Sequence, residues 1–221
     1  MTSTIPEPQD ETIRGQTLNP TEWLQANTRA LTLGAAVVLV AGAGYWFYIR
    51  SAEMKEANAE KALTTARQSI QSGNAALASS DLQKIQTRFS GTTSANEAAI
   101  LLAQVDYDQG KYAEGVDVLK KAVGGAGRLT SDMHSLIGDG LANQGKVDDA
   151  VAEYTKAAEA SDLPSQKALM LAKEARILGA AGKSADAAKI WQQLLDDPHA
   201  ELMAAEARIR LGEMQVKPAG K

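Results

Sequence analysis

Four glycines set the plan of this chain: Gly73, Gly110, Gly145 and Gly182 stand 37, 35 and 37 residues apart, each at the head of a similar run. The runs are GNAALASSDLQKI, GKYAEGVDVLKKA, GKVDDAVAEYTKA and GKSADAAKIWQQL. A small residue recurs five places after each glycine (Ala78, Gly115, Ala150, Ala187) and a large one after nine (Leu82, Leu119, Tyr154, Trp191). An apolar residue follows after twelve (Ile85, Ala122, Ala157, Leu194). A period of this size marks an array of stacked supersecondary units. The spacing predicts helical hairpins. The glycine ends a first helix in a left-handed cap, the small residue lets the second helix pack closely, and the large one fills the gap to the next hairpin. First helices are expected in LLAQVDYDQ, HSLIGDGLANQ and LAKEARILGAA. No hairpin can bury its apolar face alone, so neighbours must stack.

Ahead of the repeats, residues 30–49 (ALTLGAAVVLVAGAGYWFYI) form a run of twenty without a charge. As a helix they span about 30 Å, the thickness of a bilayer hydrocarbon core. Arg29 and Arg50 bracket the run. Trp23 precedes it, and Tyr45, Trp46 and Tyr48 crowd its far end, as amphipathic rings do at a headgroup boundary. A cleaved leader would start earlier and end in small residues, so the run reads as an anchor. Gly34, Gly42 and Gly44 lie among alanines. They either let another helix approach closely or are the glycines that any membrane helix tolerates.

The remaining chain falls around these two features. Residues 1–19 are polar and lack periodicity, and are expected to be disordered or held by a partner. Asn19-Pro20-Thr21-Glu22 reads as a helix start. No strong breaker follows until Gly73, so the helix of the segment 20–52 is expected to continue unbroken through residues 51–72. The repeats occupy 53–197, Pro198 stops the last unit, a closing helix fills 198–214, and 215–221 is a tail. The expected fold is all-α: one N-terminal transmembrane helix, about four hairpins and a capping helix.

Little here points to chemistry. A net charge of -4 lacks the concentrated basic face that nucleic acid requires, and with no cysteine there is no thiolate site. His134 and His199 are far apart in sequence. Asp148-Asp149 stands at a helix start, where acids suit the dipole, and Asp196-Asp197 stands before a proline. The cluster GGAGR (124–128) lacks the strand and the Gly-Lys-Ser/Thr ending of a phosphate loop, and reads as a loose connection. The expectation is a protein without catalytic, metal or cofactor site.

The repeat resembles the tetratricopeptide family. Ile137-Gly138, Leu141, Gly145, Ala150, Tyr154 and Ala157 match its motif, as do Leu102-Ala103, Gly110, Tyr112 and Ala122. The first unit is degenerate, and the fourth keeps Ala175, Gly182, Ala187 and Trp191. The resemblance implies a concave groove lined by first helices, presenting Arg67, Gln104, Tyr107, Asp139, Asn143 and Arg176, either to a partner or simply to solvent. Members that grip a peptide carboxylate carry a lysine and asparagine pattern there, from which Ile100, Gln104, Ser135 and Asp139 depart.

The whole plan is also similar to the ancillary subunits of the bacterial Sec translocon. That resemblance implies an inner-membrane, single-span protein with its N-terminus cytoplasmic and its repeats periplasmic. The flanking charges, Arg14 and Arg29 against Arg50, Lys55 and Lys61, lean the other way, so orientation rests on the resemblance. The implied function is a non-catalytic scaffold within a large membrane complex, its partners an integral membrane complex or periplasmic proteins. The alternative is a free periplasm-facing, chaperone-like binder of secreted or envelope proteins.

Overall fold

The computed structural model describes residues 20–216, and over them the chain is all-helical. The expected cap at Asn19, the polar tail 1–19 and residues 217–221 lie outside the described residues. The chain divides between Ala52 and Glu53 into two compact units.

The first unit holds α1 (Pro20–Ala26) and the start of α2 (Thr28–Gln71). The unbroken helix expected from residue 20 is interrupted at Asn27. The backbone ladder nevertheless carries across: the Asn27 N–H donates to the Trp23 carbonyl at 3.1 Å, and the Leu31 N–H to the Asn27 carbonyl at 2.9 Å. From Thr28 to Ala52 every side chain is exposed, Leu39 and Val40 by more than 70%. This part of α2 is long and apolar enough to cross a membrane.

In the second unit the rest of α2 packs with α3 (Ala75–Arg88) as the first hairpin. Then follow α4 (Thr93–Asp108) with α5 (Tyr112–Ala122), α6 (Thr130–Asn143) with α7 (Val147–Glu159), α8 (Pro164–Ala180) with α9 (Ser184–Asp196), and a closing α10 (Glu201–Val216). Each helix from α3 onward packs on the next in sequence, and first helices touch across units, α4 on α6 and α8 on α10. The closing helix starts later than residue 198 and takes in residues 215 and 216, which the sequence assigned to a tail.

Four clusters make the core, the smallest being Ala157, Ala158 and Met170 at the joint of α7 and α8. Leu63, Leu82 and Leu102 centre the first, Leu119, Met133 and Ile137 the second, and Trp191 with Leu194 the third. Between these large side chains lie fully buried alanines such as Ala66, Ala98, Ala103, Ala150 and Ala175. Small residues bring helix axes together, and a few large ones fill what is left.

The hairpin turns share one geometry. Gly73, Gly110, Gly145 and Gly182 have φ of 73°, 74°, 74° and 79°. At Gly145 the N–H donates to the Ala142 carbonyl, and the Lys146 N–H reaches back to Leu141, both at 2.9 Å. This is the Schellman arrangement, which satisfies the last carbonyls of the first helix. A β-carbon in this left-handed region costs about 1–2 kcal/mol, which is why glycine recurs.

The segment 124–128 is a correction. It is not loose but folds into two 3-10 turns, Val123–Gly125 and Gly127–Leu129. Ala126 is buried between them, and the Asn96 side-chain amide donates to the Gly125 carbonyl at 2.8 Å.

Candidate functional site

The residue six places before each turn glycine stands on a first helix: Arg67, Gln104, Asp139 and Arg176. Three of the four form ion pairs there. Arg67 on α2 donates from Nη2 to Glu97 Oε2 on α4 at 2.6 Å. Asp139 on α6 meets Lys173 Nζ on α8 at 2.7 Å. Arg176 on α8 holds Glu206 on α10 with two bonds, at 2.8 and 2.6 Å. The fourth position, Gln104, is exposed. At that step Tyr107 supplies the link, its hydroxyl donating to the Leu136 carbonyl on α6 at 2.9 Å.

Around Asp139 the polar groups converge. Its Oδ1 accepts from the Tyr154 hydroxyl at 2.8 Å, and its carbonyl accepts from the Asn143 amide at 2.9 Å. Lys173 also donates to Ser135 Oγ at 2.8 Å and lies 5.8 Å from the centre of the Tyr154 ring. Burial, and then the Asp139 charge, push the Tyr154 and Tyr107 hydroxyls well above the usual tyrosine range. Both therefore act as fixed donors. At the far pair, the hydrogen bonds between Arg176 and Glu206 raise the guanidinium and lower the carboxyl.

The six candidate groove residues thus do not form one open surface. Tyr107, Asp139 and Asn143 lie on α4 and α6, where Tyr107 and Asp139 bond neighbouring helices, while Arg67 and Arg176 stand in separate pairs. Their side chains are partly exposed, 42% at Arg67 and 31% at Asp139, so water screens these pairs. Exposed pairs of this kind add little to stability.

The tyrosines explain three glycines. A β-carbon on Gly115 would stand 2.5 Å from Tyr107 Cε1, and one on Gly138 would stand 2.6 Å from Tyr154 Cε1. One on Gly140 would meet the Tyr107 hydroxyl and Val116. The sequence singled out Gly115 and Gly138 but gave no role to Gly140.

Two polar clusters have no local signal. Glu56 on α2 caps the start of α4: its carboxylate accepts from the Thr93 and Ser94 amides at 2.8 and 2.9 Å and from Ser94 Oγ at 2.7 Å. Burial raises this carboxyl, but the Ser94 and Thr93 bonds together outweigh it and hold it below the usual range. Complementary residues some 37 positions apart were the only available hint. His134 Nδ1 lies 2.6 Å from Glu153 Oε2, and Lys156 bonds the other oxygen at 2.7 Å. His199 lies elsewhere, on the turn before α10. Among the described residues no three His, Cys, Asp or Glu side chains converge as a metal site.

In the apolar segment, Trp23, Tyr45, Trp46 and Tyr48 are 51–72% exposed, and Arg29 and Arg50 are exposed as well. A β-carbon on Gly34, Gly42 or Gly44 would meet nothing within 4 Å.

Stacked hairpins with glycine turns and first helices bonded across units define an α-solenoid of the protein-interaction class. The chain belongs to the tetratricopeptide repeat-like family, whose domain model matches residues 21–128 and 59–173. Among solved structures it is similar to the nearly identical TPR-like repeats of a Podosopora anserina kinesin light chain, with 16% identity and a TM-score of 0.52 over 75% of this chain and 99% of that one. A single-substitution variant of those repeats gives 18% identity and a TM-score of 0.55 over 72% and 89%. No curated protein matches the chain. Its repeats form a scaffold for protein partners.

Proposed function

We propose that this chain is a single-span membrane protein whose repeat array holds other proteins, as an ancillary subunit of a large bacterial inner-membrane complex. One observation carries the reading. Residues 30–49 are apolar, uncharged and exposed throughout, and they lie on α2. A helix of this kind in a water-soluble fold would turn one face to a core, whereas a bilayer accepts it whole. The family match starts at Thr21 and takes in the apolar run together with the repeats. This supports a fixed part of the family plan over a detachable leader.

On this reading, residues 1–19 lie in the cytoplasm and 20–52 carry the span. Residues 53–197 stack in the periplasm, with α10 closing the array. The orientation and the membrane complex follow from the resemblance to Sec translocon ancillary subunits. Trp23, Arg29, Tyr45, Trp46, Tyr48 and Arg50 sit at the two interfaces. Gly34, Gly42 and Gly44 offer a narrow surface to neighbouring helices. Catalysis and cofactors have no part in it. On the groove side Gln104 and Asn143 are the exposed candidates, since Arg67, Asp139 and Arg176 bond neighbouring helices.

Extraction in mild detergent followed by native electrophoresis and mass spectrometry tests this reading. A stable high-mass assembly containing the chain is expected. A free anchored monomer would instead favour an independent periplasmic binder.

A further inference from the structure

The helix that closes the array leaves an apolar face uncovered. In α10, Leu202, Ala205, Ile209 and Gly212 recur at intervals of three and four residues, so they share one face of the helix. All four are exposed, Leu202 by 82% and Ile209 by 62%. The opposite face is the packed one, with Ala207 buried and Met203, Leu211 and Met214 against the Trp191 cluster. A terminal unit that ends in water carries a polar outer face. This one presents two large aliphatic side chains instead.

The place of α10 in the array shows what kind of cover is missing. Arg176 bonds Glu206 as Arg67 bonds Glu97, 30 residues on in both cases, so α10 stands as a first helix in the manner of α4. Each earlier first helix is covered by the second helix of its own hairpin: α4 by α5, α6 by α7 and α8 by α9. Within two of these antiparallel hairpins a tyrosine on one helix lies over a glycine on the other, Tyr107 over Gly115 and Tyr154 over Gly138.

On α10 both halves of such a contact occupy one face. Leu202 and Gly212 stand five residues either side of position 207, and Ala205 and Ile209 two residues either side. An antiparallel copy of the same helix, related by a dyad at that level, sets Leu202 on Gly212 and Ile209 on Ala205 in both directions. A two-fold interface demands this reciprocity, and the three-and-four spacing is that of a helix-pair seam. The flanking charges agree. Glu201 and Arg208 are exposed and have no ion-pair partner among the described residues, and across the dyad each comes within side-chain reach of the other. On the opposite flank Glu206 and Glu213 are held by Arg176 and Arg210, which reduces their repulsion.

We propose that two copies of this chain associate through α10, antiparallel, each supplying the second helix that the other lacks. One helix against another is a small contact, so the dimer is weak and forms where the protein is locally concentrated. The contact lies wholly in the repeat array and does not depend on the proposed anchor, so either can fail while the other stands.

The test is the mass of the full-length protein in detergent micelles, by sedimentation equilibrium at about 1–300 μM, the range in which so small an interface would fill. A monomer–dimer equilibrium is expected. Ile209→Glu should weaken it at least about tenfold, or about 1.4 kcal/mol, while leaving the thermal midpoint of the dilute protein unchanged. Gly212→Leu, at a position where a β-carbon meets nothing within 4 Å, should weaken it as well. Leu202→Ala added to Gly212→Leu exchanges large for small on both sides and should restore the dimer. The chain has no cysteine, so single thiols report direction. Ala205→Cys oxidised together with Ile209→Cys should give the mixed disulfide in preference to either self-disulfide. The inference is overturned if the protein stays monomeric over the whole range, or if its dimer ignores Ile209→Glu, as one made through the span would. It is equally overturned if self-disulfides replace the mixed one, if the size exchange restores nothing, or if an Ile209→Cys chain carrying a photo-crosslinker captures only a different polypeptide in native membranes.

Discussion

Asp139 and Lys173 lie on successive first helices and meet at 2.7 Å, with the Tyr154 hydroxyl on the other carboxylate oxygen. The pair links the third and fourth hairpins, and it is expected to help fix their register. Its side chains are 31% and 26% exposed, so a modest energy is expected. Asp139→Ala and Lys173→Met should each destabilise the array by about 1 kcal/mol. A double-mutant cycle should give a coupling of about 0.5–1 kcal/mol. Denaturant unfolding followed by circular dichroism measures it. Additive single effects would mean that the contact does not set register.

Glu56 gives the array an acid-sensitive joint. Its carboxyl is held below its ordinary value of 4.5 in the folded protein, burial being outweighed by the Ser94 and Thr93 bonds. A depressed carboxyl adds stability that is complete above its unfolded value and is lost as pH falls through the folded one. Stability should therefore decline below about pH 4.5, and Glu56→Gln should flatten that decline. Like other cap losses, the substitution should cost about 0.5–2 kcal/mol at pH 7. Thermal midpoints of both proteins across pH 3–7 provide the check.

Two glycines test two different requirements. At Gly145 space is open but φ is 74°, so a side chain is opposed by the backbone. Gly145→Val should cost about 1–2 kcal/mol or more. Gly138 has ordinary φ, but Tyr154 fills the space above it. Gly138→Ala should cost about 1–3 kcal/mol through overpacking. Part of that loss should be recovered in a background of Tyr154→Leu, which frees the space but leaves the strain at Gly145 unaffected. Equilibrium unfolding of the unsubstituted protein, the three single variants and the two double variants separates the cases.

These glycines also show how far the sequence could be read. The spacing of Gly73, Gly110, Gly145 and Gly182, with a small residue at plus five and a large one at plus nine, specifies hairpins because each position answers a local steric demand. The turn conformations and the burial of Leu82, Leu119, Tyr154 and Trp191 follow from that pattern. Contacts between hairpins obey no such period. Arg67 finds Glu97 after 30 residues, while Asp139 finds Lys173 after 34. Which partner is reached depends on how two helices settle, and a list of solvated charges carries no trace of it. The groove residues accordingly read as a surface from spacing, whereas several are joints. The 3-10 turns at 124–128 escaped for a related reason: glycine-rich composition describes freedom of the unfolded chain, and Ala126 and Asn96 remove that freedom through tertiary contact.

The last prediction concerns the apolar half of α2, proposed above as an anchor. If it only partitions into lipid, its sequence is free so long as it stays apolar. Its composition argues for more. Gly34, Gly42 and Gly44 present no side chain along a helix where nothing within 4 Å would oppose one. Leucine at those positions would add apolar surface, at about 25 cal/mol per Å², and strengthen insertion. Lipid tails are as apolar as leucine, so helices associate in a bilayer through shape and small residues at the contact. We therefore predict that the span binds another membrane helix. The measurement replaces the other residues of 30–49 with a leucine–alanine sequence, keeping Tyr45, Trp46 and Tyr48 together with the flanking Arg29 and Arg50. Carbonate extraction should report unchanged insertion, while recovery of the native high-mass complex should fall about tenfold, as loss of about 1.4 kcal/mol of helix contact would require. Full recovery of the complex with the replaced span would make residues 30–49 a tether, and leave partner binding to the repeats.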